Sequence, residues 1–204
     1  MKKYFPFVII TVIVIAVVGL YFATQKANPS TSQENVLANN ALALNTNASP
    51  SDQRYQGDGF SLLQPQGWIQ GQIPSTLVSF HNNSETHPSG SSAAKINFKS
   101  YIAVSFDNLQ GKTLEDVNTL TVNNITVAIP TAKVFVTSDE TIGGLPAKLS
   151  AMELNQQDVD YTVLVFLIDA GDKYYSLSFN TTTEKWGASK DEFYTIARSF
   201  VMEE

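Results

Sequence analysis

Two histidines and a glutamate lie close together in the segment SFHNNSETHPSG, where His81, Glu85 and His87 have the side chain types that bind divalent metal ions. On a helix, His81 and Glu85 would share one face because they are four residues apart. His87 would not join them, and the Asn, Ser, Pro and Gly residues around it predict a loop. We therefore expect these three residues to lie in a solvated loop, with a metal site as the alternative.

Several pairs of acidic residues raise the question of acid–base catalysis or calcium binding. A glycosidase needs two carboxylates that face each other across a cleft, and an EF-hand needs acidic residues at a fixed spacing with a glycine and a final glutamate. The pairs in this chain follow neither pattern, and the helix dipole or turn chemistry accounts for them. They are Glu115 with Asp116, Asp139 with Glu140, Asp158 with Asp160, and Asp169 with Asp172.

The sequence has no clear pattern for nucleophilic catalysis. The G-x-S-x-G motif is missing, and the two histidines of the chain lie at positions 81 and 87. The chain has no cysteine, which excludes disulfides, thiolate zinc sites and lipidation on cysteine. A Ser-Lys dyad stays open, although a helix start explains Ser189 and Lys190. We predict that the chain is not an enzyme, and a hydrolase is the least favoured alternative.

The glycine pair in ETIGGLPAKLS, Gly143 and Gly144, could belong to a phosphate-binding loop or to a turn. A phosphate-binding loop leads through spaced glycines into the start of a helix. After Pro146, however, apolar and polar residues alternate, which predicts a strand. Glycines supply the positive φ angles that tight turns need. We therefore predict that this pair joins two antiparallel strands.

Alternating apolar residues predict the strands that position these side chains. In KINFKSYIAVSF, the apolar residues at even positions predict one long strand with a buried face. The segment VDYTVLVFLID is apolar on both faces in its second half, as in a central strand. A turn at Gly171 connects VDYTVLVFLID to KYYSLSF, and these two segments with the turn predict a hairpin.

Two further segments have helical patterns. Residues 113–130 begin with Thr113 and Asp116, whose spacing predicts an N-cap and a capping box. A second helix is predicted near the C-terminus, where Ser189 and Glu192 have the same spacing. The strands precede, separate and follow these helices without regular βα alternation. This order predicts an α+β fold with a mainly antiparallel sheet.

The order of these elements resembles that of the PsbP-like family, which includes the extrinsic PsbP protein of photosystem II and the Mog-type Ran-binding proteins. The resemblance covers the globular part, residues 55–204. It implies that the chain is a bacterial, membrane-anchored member of the family. It implies an α/β/α sandwich around a twisted antiparallel sheet and a non-catalytic role. The family is associated with calcium and other ions, but no ligand motif here matches that role, so we expect no cofactor. The motifs are GFSLLQPQGW, TLEDV, ETIGGLPAKL, DKYYSLSF and IARSF.

The first 54 residues differ in composition from the rest of the chain. An apolar run over residues 5–23 has about the 20 residues that a helix needs to cross a bilayer. Lys2 and Lys3 before it favour a cytoplasmic N-terminus. The length of the run favours an uncleaved anchor, residues 1–23, over a cleaved signal. Residues 24–54 are rich in Asn, Ser, Thr, Ala and Gln, which predicts a flexible tether.

The globular part is acidic, with nine Lys and Arg against seventeen Asp and Glu, a balance of −8. Nucleic-acid binding needs the opposite sign, so we expect no nucleic-acid partner. The sequence predicts a single-pass plasma-membrane protein whose extracytoplasmic domain binds or stabilises a protein partner. The alternative is a domain that binds a small ligand or metal ion, calcium included, in a pocket between sheet and helix or in the His81–His87 loop.

Overall fold

The computed structural model describes residues 53–203. The predicted membrane anchor and nearly all of the predicted tether therefore lie outside the described residues. Within residues 53–203, no helix has the length and apolarity needed to cross a membrane. The elements in chain order are β1 (Arg54–Gln56), β2 (Phe60–Leu63), β3 (Ile69–Gly71), β4 (Val78–His81), α1 (Ser92–Lys95), β5 (Tyr101–Asn108), α2 (Leu114–Ala128), β6 (Lys133–Ile142), β7 (Leu145–Gln156), β8 (Val159–Asp169), β9 (Lys173–Thr182), α3 (Thr183–Arg198) and β10 (Val201–Met202).

Seven of these strands form one sheet in the order β3-β4-β5-β9-β8-β7-β6, and β1, β2 and β10 form a smaller one. All the strand pairs in both sheets are antiparallel. Tight turns can connect antiparallel neighbours, and three such turns join β6 to β7, β7 to β8, and β8 to β9. The predicted α+β fold with a mainly antiparallel sheet is confirmed, as is the predicted hairpin of β8 and β9.

The two faces of the large sheet carry separate hydrophobic cores. On one face, α3 and the small sheet pack against aromatic residues such as Phe166 and Phe179. On the other face, α2 packs against β7 and β8 near Val165. Neighbouring residues of a strand point to opposite faces, so Tyr175 belongs to the first core and Tyr174 to the second. One helix therefore covers each face of the sheet.

The predicted capping box at the start of α2 is confirmed. The Thr113 hydroxyl accepts a hydrogen bond from the Asp116 backbone N–H at 3.1 Å, and the Asp116 carboxylate accepts one from the Thr113 backbone N–H at 2.9 Å. The backbone N–H and the hydroxyl of Thr113 both donate to this carboxylate and lower the pKa of Asp116. Two donors that a helix start would leave unpaired are thereby satisfied.

The start of α3 differs from the prediction. The helix begins at Thr183 and not after Ser189, so Ser189 lies inside it and caps nothing. Gly187 costs such a helix about 1 kcal/mol relative to alanine. The added turn, however, places Trp186 against Phe193, with 6.4 Å between ring centroids. Packing of an aromatic ring outweighs the local preference of one glycine.

The long strand predicted over residues 95–106 is also shorter than expected. Ser92–Lys95 form the helical turn α1, and the strand begins at Tyr101. Between them, Asn97 has a φ of 50°, which breaks the extended backbone. Asn is among the residues that adopt this conformation most readily. Ile96 and Phe98 therefore lie in a loop, although their spacing matches a strand.

The turn at Gly143 and Gly144 joins β6 to β7, as predicted, with Ile142 opposite Leu145. The two glycines have φ angles of 57° and 82°, which are typical of the two-residue turns that match the twist of a hairpin. A Cβ on Gly143 would lie 2.5 Å from the carbonyl oxygen of Phe200, whereas a Cβ on Gly144 would meet nothing within 4 Å. The turn thus packs closely against the end of α3.

We expect Gly143→Ala to destabilise the fold more than Gly144→Ala. Both substitutions place a Cβ in the left-handed region, at a cost of about 1–2 kcal/mol. Only Gly143→Ala adds a clash with backbone, which costs roughly 1–3 kcal/mol more. Urea unfolding followed by the fluorescence of Trp68 and Trp186 measures both losses. Equal losses of unfolding free energy would contradict the close packing of this turn.

Candidate functional site

A cavity of about 510 Å³ lies on the α2 side of the large sheet. This volume is within the roughly 300–1,000 Å³ of pockets that bind small molecules. The sheet forms the floor of the cavity, and residues 96–99 form one wall, which we call the 96–99 loop. Ile129, directly after α2, Asn83, after β4, and Gln156, at the end of β7, also line the cavity.

The floor of the cavity is a row of four side chains from four adjacent strands. His81 of β4 pairs with Tyr101 of β5, Tyr101 pairs with Asn180 of β9, and Asn180 pairs with Val163 of β8. Residues directly opposite each other in an antiparallel pair project to the same face. The backbone register therefore brings together residues that are far apart in the sequence.

A second row extends the floor toward the 96–99 loop. Tyr161 of β8 pairs with Leu154 of β7. Tyr161 lies two residues before Val163 on the same strand, so both side chains project to the same face of the sheet. The ring of Phe98 lies 5.0 Å from the ring of Tyr161, centroid to centroid. Loop and floor thus meet through aromatic contact.

Burial sets the protonation of the titratable groups on the floor. Burial raises the pKa of Tyr161 to about 12. Burial, followed by the charge of Tyr161, raises the pKa of Tyr101 as well. Burial lowers the pKa of His81 below its usual value of 6.5. At neutral pH the two phenols are therefore protonated donors and the imidazole is uncharged.

Asn180 leaves one buried polar atom without a partner. The residue is 2% exposed, and its Nδ2 donates a hydrogen bond to the Ser178 hydroxyl at 2.8 Å. Its Oδ1 has no hydrogen-bond partner among residues 53–203. Turning the amide over would leave the nitrogen without an acceptor instead. An unpaired buried polar atom costs about 1–3 kcal/mol.

The structure separates the three predicted metal ligands. His81 lines the cavity, where its Nε2 lies 3.0 Å from the Ser79 hydroxyl and its ring stacks on Tyr101. Glu85 and His87 lie behind the 96–99 loop. No group of three His, Cys, Asp or Glu side chains suited to a metal ion occurs in the part of the chain that the structure describes. The metal site stays a prediction.

The expectation that this loop is solvated is wrong for Glu85, whose side chain has 0% exposure. One carboxylate oxygen accepts the backbone N–H of Ser100. The other lies 3.5 Å from Nε2 of His87 and 3.5 Å from Nζ of Lys185 on α3. A buried carboxylate needs such partners because burial removes its water.

His87 and Glu85 hold the 96–99 loop from behind. Nε2 of His87 donates to the carbonyl oxygen of Phe98 at 3.0 Å, and the two rings are 6.0 Å apart. The ammonium group of Lys99 donates to the backbone carbonyl of Glu85. Glu85 and His87 therefore position the wall of the cavity without lining it, whereas Lys99 is part of the lining.

The family model described as PsbP matches residues 51–202 of this chain. The chain belongs to the PsbP family. The resemblance predicted from the motifs is confirmed at the level of the family, while the membrane anchor of this PsbP-family chain stays a prediction. No curated protein sequence matches it.

Solved structures share the fold of this PsbP-family domain. The solution structure of cyanobacterial PsbP (CyanoP) from Synechocystis sp. PCC 6803 is 19% identical, with a TM-score of 0.57 over 86% of this chain and 100% of that one. LpqN of Mycobacterium tuberculosis, described as involved in cell envelope biogenesis, is 14% identical, with a TM-score of 0.54 over 74% of this chain and 87% of that one. A Pseudomonas aeruginosa protein of unknown function, PA94, a putative regulator by its description, is 16% identical, with a TM-score of 0.51 over 74% of this chain and 97% of that one. At these identities the likeness concerns the fold.

The sequence offers a pocket between sheet and helix as an alternative, but it does not identify the residues that line it in this PsbP-family domain. Tyr101, Tyr161 and Asn180 belong to no catalytic or metal-binding motif of the sequence. A usable signal was present in KYYSLSFNTT, where Asn180 follows an apolar alternation in a strand that is buried on both sides. A polar residue at such a position needs a partner.

Truncation of Glu85 should destabilise the protein. Glu85→Ala leaves the Ser100 N–H unpaired in a buried position, and we expect a loss of about 1–3 kcal/mol in the free energy of unfolding. Lys185→Met removes a lysine that is 35% exposed but keeps the bond between the carboxylate and Ser100, so we expect a smaller loss than for Glu85→Ala. Urea unfolding compares the two variants. A larger loss for Lys185→Met would show that the ion pair, and not the backbone contact, stabilises the loop.

His81 should make stability depend on pH. Its pKa is lowered in the folded state, so between that lowered value and the usual 6.5 the unfolded chain binds more protons. Stability then rises with pH in this window and falls as the pH drops below about 6.5. The free energy of unfolding should therefore fall more steeply from pH 7 to pH 5 for the wild type than for His81→Gln. Between the two pKa values the extra fall is up to about 1.4 kcal/mol for each pH unit. Parallel pH profiles would contradict the burial of an uncharged His81.

Proposed function

We propose that this PsbP-family chain is a non-catalytic binding protein whose globular domain holds a small molecule in the cavity on the α2 side of the sheet. The observation that carries the proposal is the cavity of about 510 Å³ together with the composition of its lining. Binding pockets combine an apolar lining with a few convergent polar groups. This cavity has that combination, with Ile96, Leu154 and Val163 beside two phenols.

The chemistry of the lining supports binding over catalysis. A general acid or base works best when its pKa lies near the working pH, but burial moves the pKa values of Tyr101, Tyr161 and His81 in directions that keep each group in one state at neutral pH. A covalent mechanism needs a nucleophile beside a base. The described lining contains no Ser, Thr, Cys, Asp or Glu.

The proposal keeps the location predicted from the sequence. An anchor over residues 5–23 and a tether over residues 24–54 would hold the domain near the outer face of the plasma membrane, with the N-terminus in the cytoplasm. LpqN, a structure with this fold, is described as involved in cell envelope biogenesis, and we extend a role at the envelope to this chain as part of the proposal.

Binding of a protein partner, the first expectation from the sequence, is the second candidate. Strand β6 is an edge of the large sheet, because β7 is its sole neighbour within the described sheet. Its residues Val134 and Phe135 are 38% and 47% exposed. An open strand edge with exposed apolar side chains can pair with an extended segment of another protein.

A cavity-filling variant tests the small-molecule proposal. Val163→Phe adds volume to the cavity floor, whereas Val127→Phe makes the same change at a site on α2 that is 82% exposed. Fragment screening by ligand-observed NMR on the full chain should give hits for the wild type and Val127→Phe that Val163→Phe abolishes. Overpacking of a filled core costs about 1–3 kcal/mol, so an open cavity should accept the phenylalanine with a smaller loss.

Two results would contradict the small-molecule proposal. One is the absence of fragment hits on the wild type. The other is a set of hits that persists in Val163→Phe while urea unfolding of that variant remains cooperative. In either case, the edge of β6 becomes the better candidate, and a charged substitution at Phe135 should then reduce capture of a membrane partner.

A further inference from the structure

We infer that the cavity takes a small organic acid, with one carboxylate recognised by Lys99 and an apolar body held against Phe98 and Leu154. This inference rests on the proposed small-molecule function and names the chemical class of the ligand. Three independent features of the lining carry it: its charge, the free donors on its polar side, and the apolar surface opposite them.

The charge of the lining favours a single negative charge on the ligand. Lys99 and His81 are the basic residues of the described lining, and burial lowers the pKa of His81, which leaves Lys99 as the cationic side chain. No acidic side chain lines the cavity within residues 53–203. A cation would therefore meet repulsion, and one anionic group would neutralise the site.

Lys99 has N–H donors that a ligand can use. An ammonium group carries three N–H donors, and in this structure Lys99 donates to the backbone carbonyl of Glu85. That carbonyl is neutral, and none of the salt bridges in the described part of the chain involves Lys99. A partly buried ammonium without a counter-charge is costly, so a carboxylate beside it gains more than it would in water.

The remaining polar groups complement the rest of such a ligand. The hydroxyls of Tyr101 and Tyr161 can donate to carboxylate oxygens, because both stay protonated. A bare inorganic anion offers no surface for the apolar wall, whose members include Ile96 and Ile129.

Matched acids and amides test the class of ligand. We would titrate 1-naphthaleneacetate, N-acetyltryptophan and decanoate, each beside its primary amide, into the full chain by isothermal calorimetry. At least one acid should bind more tightly than its amide by about tenfold or more, as a charge-assisted hydrogen bond provides. Added salt should weaken the binding of the acid and leave that of the amide unchanged.

Substitutions at Lys99 locate the charge that is recognised. Lys99→Met should remove the preference for the acid, and Lys99→Arg should retain it. Lys95→Met, an exposed lysine of α1 four residues away, should leave it intact. If Lys99→Met alters cooperative unfolding, Lys99→Gln takes its place in the same titrations.

The outcomes separate this inference from the proposed function. Equal affinities for acids and amides, or an acid preference that survives loss of the Lys99 charge, would overturn the organic-acid ligand while the cavity remains a binding site. Binding of no member of any pair would also overturn it. The proposed function itself fails only if the fragment screen gives no hit that Val163→Phe abolishes.

Discussion

The antiparallel register of β5, β9 and β8 is the constraint on which the rest of the molecule depends. A shift of one residue would move every side chain of a strand to the opposite face. Tyr174 and Tyr175 would exchange cores, and Asn180 would leave the cavity floor for the aromatic core under α3. Both faces of these strands are buried, so a shift in register would disrupt the packing on each face. This double burial gives the cavity floor its fixed composition.

The buried carboxylate of Glu85 links the opposite layers of the fold. It binds the backbone at the start of β5, and it meets Lys185, which lies in the first turns of α3 on the other face of the sheet. Lys185 also donates to the carbonyl oxygen of Thr86 at 3.0 Å. The early start of α3 places this lysine within reach of the loop. A charge that burial would otherwise penalise thus helps to position the cavity wall.

Membership of the PsbP family accounts for the scaffold and leaves the ligand open. The motifs that carry the resemblance lie at turns, caps and core positions, where they serve folding. The glycine pair at 143 and 144 is an example, since its role is a hairpin turn packed against Phe200. The cavity is formed by other residues. Family resemblance and functional site are therefore separate features of this chain, as is common for widely used folds.

Local periodicity and turn chemistry are enough to predict the strands with clear alternation, the β8–β9 hairpin, the capped start of α2 and the α+β class. They do not predict the start of α3 or of β5, where packing of Trp186 and a left-handed Asn97 override local preference. The site depends on contacts between distant parts of the chain. His81, Tyr101 and Asn180 share one surface because β4 pairs with β5 and β5 pairs with β9, and no local pattern records such a pairing.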